Sequence, residues 1–221
     1  MFESAWRYFP PGAVHLVVVD PGVGTHRHRI AVRAGDHYFV GPDNGVLSTA
    51  LPDDARGLRA GESGYGLHEV TLPPAVQAVL IESESVLHQP ISSTFEGRDA
   101  FAPAAAHLAA GGAMTDLGPS TTLMLALPAF RAPLAEDGSL AGRVIHVDHY
   151  GNLITDIRAE DLLASPLIEV AGRTLRLVRT YGDSDRLCAI VSSAGTVEVA
   201  LPDGSAADAL GIGRGAAVVA R

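Results

Sequence analysis

An acid, two glycines and an arginine form the clearest chemical pattern of this chain. Asp20 directly follows the apolar run Val14–Val19 and is itself followed by Gly22, Gly24 and Arg27. A strand that ends in a carboxylate fixes that group in space, and the arginine can hold it ionised. The glycines let the backbone turn tightly or approach a ligand closely. The pattern is typical of an active-site loop, but a strand-to-strand turn with a surface ion pair fits it equally well.

A second stretch with chemical potential lies just before a predicted helix. Residues 92–99 read Ser-Ser-Thr-Phe-Glu-Gly-Arg-Asp, so that Glu96 and Gly97 stand where the helix begins. Glycine beside a helix N-terminus makes a natural loop for a small ligand or an anion. The alternative is plain helix capping, with a surface pair between Glu96 and Arg98.

A third cluster follows a predicted strand. Asp148, Tyr150 and Asn152 offer a carboxylate, an aromatic face and an amide within five residues. That set suits a polar organic ligand with a flat ring. The alternative is a turn of the Asn-Gly type with a buried tyrosine.

Two histidine pairs raise the question of a metal site. His26 and His28 would point the same way on a strand, and His146 and His149 have H-x-x-H spacing. No cysteine pair or carboxylate at zinc spacing accompanies them, so we predict that the protein binds no metal.

The composition narrows the classes of function. All sixteen basic residues are arginine, which excludes lysine-dependent phosphate loops, Schiff-base chemistry and pyridoxal enzymes. A net charge of −9 argues against nucleic acid or an anionic membrane as the main partner. No apolar run approaches the roughly 20 residues that span a bilayer. The single cysteine, Cys188, fits a reducing cytoplasm.

The elements that must position these residues fall into two groups. The first is predicted to be an α/β domain over residues 1–131, with a hairpin at Gly35-Asp36 and a helix from Arg98 to Ala110 that is capped by Asp99. Residues 132–142 are predicted to be a linker. Residues 143–221 are predicted to be a smaller, mostly antiparallel β domain. Its predicted strands are Arg143–Val147, Leu153–Ile157, Leu167–Val170, Thr174–Val178, Cys188–Val191, Val197–Leu201 and Ala216–Ala220.

Four longer stretches together resemble a known family. They are residues 8–24 (YFPPGAVHLVVVDPGVG), 38–48 (YFVGPDNGVLS), 93–109 (STFEGRDAFAPAAAHLA) and 148–157 (DHYGNLITDI). In this order they resemble the S-adenosyl-L-methionine (SAM) hydroxide adenosyltransferases, whose relatives include fluorinase and chlorinase. The resemblance implies an α/β domain with a central sheet and flanking helices, followed by a smaller β-rich domain. It also implies a homotrimer, with substrate bound between the N-terminal domain of one subunit and the C-terminal domain of the next.

The implied reaction is attack by water or hydroxide on C5′ of SAM, which gives adenosine and methionine without a cofactor. The family uses an Asp-Arg-His set for it, and Asp20 and Arg27 match the first two members. Glu96 stands in the place of the histidine. A carboxylate at position 20 would repel a halide, which favours hydrolysis over halogenation.

The resemblance also assigns residues to the substrate. Asp148 matches a carboxylate that holds the methionine ammonium, and Tyr150 matches an aromatic residue beside the adenine. Asn152 matches an amide that reads the adenine edge, and Ser193 matches a serine near the methionine end.

The chain departs from the family at its beginning as well as at Glu96. Family members carry an N-terminal segment with a first strand and a Thr-Asp-Phe-Gly motif, whose Asp holds the ribose hydroxyls. We therefore expect either a misassigned start or a genuine short form with an incomplete sheet. Three hypotheses remain: a SAM hydrolase, a catalytically impaired protein that binds SAM or adenosine, and a halide-using 5′-halo-deoxyadenosine synthase.

Overall fold

A computed structural model describes residues 2–57 and 66–221 of the chain. The chain divides into two compact units, of which the first ends at Ala129 and the second begins at Phe130. Residues 132–142, predicted to be a linker, belong to the second unit, where Ala132 and Leu140 are part of the buried core. The stretch has the composition of a linker, but two of its apolar side chains pack in the core, whereas Leu134 is 70% exposed.

The first unit contains seven strands and three short α-helices among its described residues. The strands are β1 (Val14–Leu16), β2 (Arg29–Ala34), β3 (His37–Pro42), β4 (His68–Thr71), β5 (Val76–Leu80), β6 (Ser120–Thr121) and β7 (Leu123–Ala126). The helices are α1 (Phe2–Ala5), α2 (Asp53–Arg56) and α3 (Ala102–Ala109), with a π-helical turn at Gly97–Phe101 and 3₁₀ turns at Trp6–Tyr8, Ser48–Ala50 and Met114–Asp116. Five strands form a sheet in the order β1-β3-β2-β5-β6, and β4 pairs separately with β7.

The sheet is mostly antiparallel. Only the β1–β3 pair is parallel, and the pairing of β2 with β3 runs from Arg29 opposite Pro42 to Ala34 opposite His37. This pairing confirms the predicted hairpin at Gly35-Asp36. The first unit thus has more antiparallel strand and shorter helices than the α/β domain that the sequence predicts.

The strand predicted over Val14–Val19 is shorter and less buried than expected. β1 ends at Leu16, and Leu16, Val18 and Val19 are 46%, 44% and 64% exposed. An apolar run indicates a strand, but its burial depends on neighbours. Among the strands that the structure describes, β1 has a neighbour on one side only, because it lies at the edge of its sheet.

The predicted helix after Glu96 forms, but Asp99 does not cap it. The carboxylate of Asp99 is buried and accepts a hydrogen bond from the backbone N–H of Ser92 at 2.9 Å. Its ion pair with Arg98, together with the Ser92 N–H, lowers the pKa of Asp99 to about 2. Asp99 therefore closes the loop that carries Glu96 onto the start of the helical segment.

Both faces of the first unit's sheet are packed. Alternate residues of β2 point to opposite sides, as strand geometry requires, and each side has its own core. One core places Ala31 and Val40 against Phe101 and Leu108 of the helical segment. The other core joins Ile30, Val32, Phe39, Leu47 and Met124.

The second unit is a closed barrel. Its strands are β8 (Leu140–Val147), β9 (Leu153–Arg158), β10 (Leu167–Val170), β11 (Arg173–Val178), β12 (Cys188–Val191), β13 (Thr196–Ala200) and β14 (Ala217–Ala220). They close in the order β10-β11-β12-β13-β9-β8-β14, and only β11 and β12 run parallel. The helix α4 (Ala206–Leu210) and 3₁₀ turns at Ala159–Asp161 and Tyr181–Asp183 join the strands. All seven strands were predicted, which confirms a β-rich second part.

In the ranges that the structure describes, no helix has the length and apolar character that crossing a membrane requires.

Candidate active site

Arg27 lies between two carboxylates in the first unit. Its Nε donates a hydrogen bond to Asp20 Oδ1 at 2.7 Å, and its Nη2 donates to both Asp20 Oδ2 and Glu96 Oε2. The three side chains are largely buried, with exposed fractions of 8% for Arg27, 6% for Asp20 and 15% for Glu96. Arg27 and Glu96 are 69 residues apart in the chain. The fold thus assembles the three residues that the sequence analysis assigned to catalysis.

Backbone contacts fix the segment that carries Asp20. The N–H of Val17 donates to Val40 O at 2.9 Å, which extends the pairing of β1 with β3. The side chain of Asn44, in the loop after β3, donates from Nδ2 to Val19 O at 2.9 Å. Because Val19 immediately precedes Asp20, this amide holds the backbone next to the carboxylate.

Gly24 brings the Asp20 loop close to the Glu96 loop. It has a φ of +79°, and a Cβ at this position would lie 2.7 Å from the backbone oxygen of Ser93. Only glycine accommodates both this conformation and this contact. The sequence predicts that this glycine allows a tight turn or a close approach to a ligand. In the structure, Gly24 closely approaches the backbone that leads to Glu96.

The charge balance keeps Arg27 protonated. Burial lowers the pKa of Arg27, but its hydrogen bonds with Asp20 and Glu96 outweigh burial and raise the pKa above the ordinary value. The aromatic ring of Phe101 lies 5.4 Å from the guanidinium carbon. A buried guanidinium can orient a water molecule, and a carboxylate beside it can accept a proton from that water.

Asp148 organises the turn between β8 and β9 in the second unit. Its Oδ1 accepts hydrogen bonds from the backbone N–H groups of Tyr150 and Asn152, both at 2.9 Å. Its Oδ2 accepts from Asn152 Nδ2 at 3.0 Å. Asn152 is buried, whereas Tyr150 is 76% exposed. The buried tyrosine of the plain-turn interpretation is therefore absent, and the exposed ring is available to a ligand.

The turn rests on the start of α4. Gly151 has a φ of +82°, and a Cβ there would lie 2.1 Å from Ser205 Oγ. The backbone oxygen of Gly151 accepts from Ala207 N at 2.9 Å, and Ser205 caps α4 by accepting from Asp208 N at 3.1 Å. The barrel thus holds the Asp148 turn by its backbone.

Ser193 lies exposed in the turn between β12 and β13. No described contact joins its side chain to Asp148, Tyr150 or Asn152. Its place near the methionine end of the substrate remains a prediction.

Two polar residues that the sequence analysis passed over lie beside these clusters. Asn44 belongs to residues 38–48, one of the stretches that resemble the family, but the sequence analysis assigns it no role. Glu198 is 4% exposed and accepts a hydrogen bond from the hydroxyl of Tyr181. The position of Glu198 between Val197 and Val199 is a sequence signal for a buried polar contact, because a charged side chain within an apolar strand needs a partner.

The histidines do not assemble a metal site within the described ranges. There, no group of three or more His, Cys, Asp or Glu side chains is arranged to hold a metal ion. The absence of a metal in the working protein remains a prediction, and it covers His26, His28, His146 and His149.

Models of known protein families match parts of both units. Residues 1–118 match the model of the SAM hydroxide adenosyltransferase N-terminal domain, and residues 142–219 match that of the C-terminal domain. A protein of Salinispora tropica named (R)-S-adenosyl-L-methionine hydrolase is 40% identical over 211 residues, which cover 91% of this chain and 72% of that protein.

The chain is also similar to a more distant relative and to a solved structure. A protein of Actinopolyspora mzabensis named fluorinase is 27% identical over 184 residues, or 71% of this chain and 54% of its own. The crystal structure of an uncharacterized conserved protein from Thermotoga maritima superposes with a TM-score of 0.77 at 32% identity, covering 98% of this chain and 80% of that one. With two domain models that match in order over most of its length, the chain belongs to the SAM hydroxide adenosyltransferase family.

Proposed function

We propose that this protein hydrolyses SAM to adenosine and L-methionine by attack of water on C5′. The observation that carries the proposal is the buried cluster of Asp20, Arg27 and Glu96. It occurs in a chain that is 40% identical to a protein named (R)-S-adenosyl-L-methionine hydrolase.

The reaction requires the protein to position the reactants and to accept a proton. The water oxygen forms a bond to C5′ while the C5′–S bond breaks. The electron pair of the C5′–S bond goes to the sulfonium sulfur. The sulfur leaves as the neutral thioether of methionine, so no general acid is needed. We therefore propose that the reaction needs no metal or cofactor. The remaining requirement is a water held in line whose proton is accepted as the bond forms.

The contacts of the two carboxylates support different roles. Asp20 directs both oxygens to Arg27, whereas Glu96 contacts Arg27 through Oε2 and is the more exposed of the two. We assign Glu96 as the group that accepts the water proton and passes it to solvent. Asp20 then holds Arg27 in place and keeps the site's charge negative.

The cluster around Asp148 suits the substrate. The carboxylate of Asp148 would pair with the ammonium of the methionine moiety, and the exposed ring of Tyr150 would stack on the adenine. The amide of Asn152 would read the adenine edge, with Ser193 near the methionine end. SAM carries two positive charges, on the ammonium and the sulfonium, and the acidic groups of both clusters match them.

The second candidate function is a SAM- or adenosine-binding protein without turnover. Glu96 in place of the histidine expected from the family favours it, because the replacement removes a group that titrates near neutral pH. Halide use, the third candidate, is opposed by the two carboxylates around Arg27, which would repel a halide near the reacting carbon.

We also propose that the protein acts as a homotrimer in the cytoplasm. A half-site for catalysis on one subunit and a half-site for substrate on its neighbour would then complete each other. The lone Cys188, buried and unpaired, is compatible with a reducing compartment. Analytical ultracentrifugation of the purified chain tests the trimer, and cell fractionation tests the location.

Incubation of the purified protein with SAM tests the function. The expected products are adenosine and methionine in equal amounts, separated by liquid chromatography. Binding of SAM without product would establish the binding protein instead. Chloride-dependent appearance of 5′-chloro-deoxyadenosine would establish the synthase, and a Glu96→Gln sample run in parallel controls for contaminating hydrolases.

A further inference from the structure

The outer face of the barrel contains a buried carboxyl that the proposed reaction leaves unused. Glu198 lies on β13 and is 4% exposed, while its neighbours Val197 and Val199 belong to the barrel core. Since side chains alternate along a strand, Glu198 points to the opposite face. There the hydroxyl of Tyr181, from the turn Tyr181–Asp183, donates a hydrogen bond to Glu198 Oε1.

The strand register places Glu198 beside the Asp148 turn. β13 pairs with β9 so that Glu198 lies opposite Ile154. Asn152, two residues before Ile154, is therefore diagonal to Glu198 on the same face, at a spacing that long side chains bridge. The amide of Asn152 is bonded to Asp148 Oδ2 at 3.0 Å. Two carboxyl groups, one of them buried, thus share a small region of the barrel surface.

The ionisable groups that act on Glu198 are acids. Burial raises the pKa of Glu198, the hydrogen bond from Tyr181 lowers it, and the charge of Asp148 raises it, so that the pKa lies above its ordinary value. Burial also raises the pKa of Tyr181 and that of Cys188 on β12. None of the described groups that act on Glu198 is a cation. A positive ligand would remove the electrostatic penalty.

We propose that Glu198 is a second recognition group for the cationic amine of the ligand, and that binding of this amine beside Asp148 favours the ionised form of Glu198. The inference rests on the proposed function, which brings an amino-acid ammonium to Asp148. The ammonium adds positive charge next to Glu198, whose proton then leaves to solvent. No covalent bond is made or broken in the protein.

The sign of the pH dependence follows from linkage. The pKa of Glu198 is higher in the free protein than in the complex, so binding releases protons between these two values. Affinity for an amine-bearing ligand therefore rises with pH across that range, by up to tenfold per pH unit. It becomes constant above the pKa of the free protein, where Glu198 is already ionised.

Calorimetric titration of the full chain with S-adenosyl-L-homocysteine tests the inference. This ligand has the amino-acid ammonium but no sulfonium leaving group, so it is not consumed during the measurement. Titrations in two buffers of different ionisation enthalpy, repeated over pH 5 to 8, count the protons released per ligand. We expect release that falls to zero at high pH. Adenosine, which lacks the amine, should bind without any release.

Two variants make the assignment specific to Glu198. Glu198→Gln keeps an acceptor for the Tyr181 hydroxyl, and it should lose both the proton release and the pH dependence. We expect it to bind S-adenosyl-L-homocysteine roughly tenfold more weakly and adenosine as the wild type does. Tyr181→Phe removes the hydrogen bond that lowers the pKa of Glu198, so its proton release should move to higher pH.

Unchanged proton release in Glu198→Gln overturns the inference, as does the lack of any release in the wild type. If Glu198→Gln also loses adenosine binding, its fold is disturbed, and the test then depends on Tyr181→Phe. In that case, proton release that stays in the wild-type pH range overturns the inference. SAM turnover by the same wild-type sample is a separate readout. Turnover without amine-linked proton release overturns only the role of Glu198, and release without turnover overturns only the hydrolase.

Discussion

The contacts of individual residues separate the roles of the two carboxylates around Arg27. Glu96, as the proposed acceptor of the water proton, should be sensitive to loss of its charge. We expect Glu96→Gln to lower kcat by about 100-fold or more with little change in KM. Glu96→His should retain more activity than Glu96→Gln, with a pH profile governed by an imidazole. Rates of adenosine release measured from pH 5 to 9 check this, and a wild-type kcat in Glu96→Gln would assign the base elsewhere.

Arg27 neutralises two buried carboxylates, and this makes it a stability determinant as well. Arg27→Met keeps much of the side-chain length but leaves Asp20 and Glu96 without their cation. We expect the free energy of unfolding to fall by about 3–5 kcal/mol at pH 8. Because protonation relieves the unpaired carboxylates, the difference from wild type should shrink as the pH falls towards 5. Urea unfolding at both pH values measures it, and an equal loss at each would contradict the electrostatic cause.

How much of this site the sequence predicts depends on the distance along the chain. The seven-residue separation of Asp20 and Arg27 made an ion pair foreseeable. Glu96, 69 residues from Arg27, was placed beside it by family resemblance, since no local pattern relates the two. The sequence does not predict the partnership of Glu198 with Tyr181, because it depends on how a turn folds over the face of the barrel.

At the scale of elements, the loop that carries Asp20 depends on one close approach. Gly24→Ala would place a methyl group 2.7 Å from Ser93 O in a backbone with positive φ. We expect a loss of about 1–3 kcal/mol in stability and a lower kcat, because the Asp20 and Glu96 loops must separate. The matched control is Gly22→Ala, whose Cβ would meet Thr25 Oγ1 at 3.4 Å, an ordinary contact. Equal melting temperatures for the two variants would refute the steric explanation.

The amide of Asn44 offers a second test of how elements hold the site. Asn44→Asp keeps an oxygen that can accept from Val46 N, as Oδ1 does at 3.1 Å, but it loses the donor to Val19 O. If this donor fixes the backbone before Asp20, kcat should fall about tenfold while KM for SAM stays near the wild-type value. An increase confined to KM would instead place Asn44 at the substrate. Steady-state kinetics with both Asn44→Asp and Asn44→Ala distinguish the two.

Elements with local signals were predicted well, and those set by distant neighbours were not. The barrel strands follow alternating patterns separated by turn residues, so all seven were found to within a few residues. The burial of β1 was overestimated, because its edge position is a property of the whole sheet. Asp99 has the sequence position of a helix cap, yet the Ser92 loop offers its carboxylate a backbone N–H that competes for it.

At the scale of the whole molecule, the proposed catalytic and substrate clusters lie on different units, which makes the assembly testable by complementation. We expect Glu96→Gln to impair the first cluster and Asp148→Asn to impair the second, so each variant alone should turn over little SAM. If the proposed homotrimer with inter-subunit sites forms, a mixed trimer can combine a wild-type first unit with a wild-type second unit from a neighbouring subunit. Random mixing in equal amounts should then restore about a quarter of the sites.

Co-expression of the two variants with different affinity tags, followed by purification on both tags, isolates such mixed assemblies. We expect their activity to exceed the sum of the two single variants, with a KM near that of the wild type. A site built within one subunit has no route to rescue, because every copy carries one of the two changes. Mixed assemblies that stay inactive would therefore place both clusters of each site on the same chain, and chains that never co-purify would show that the protein is a monomer.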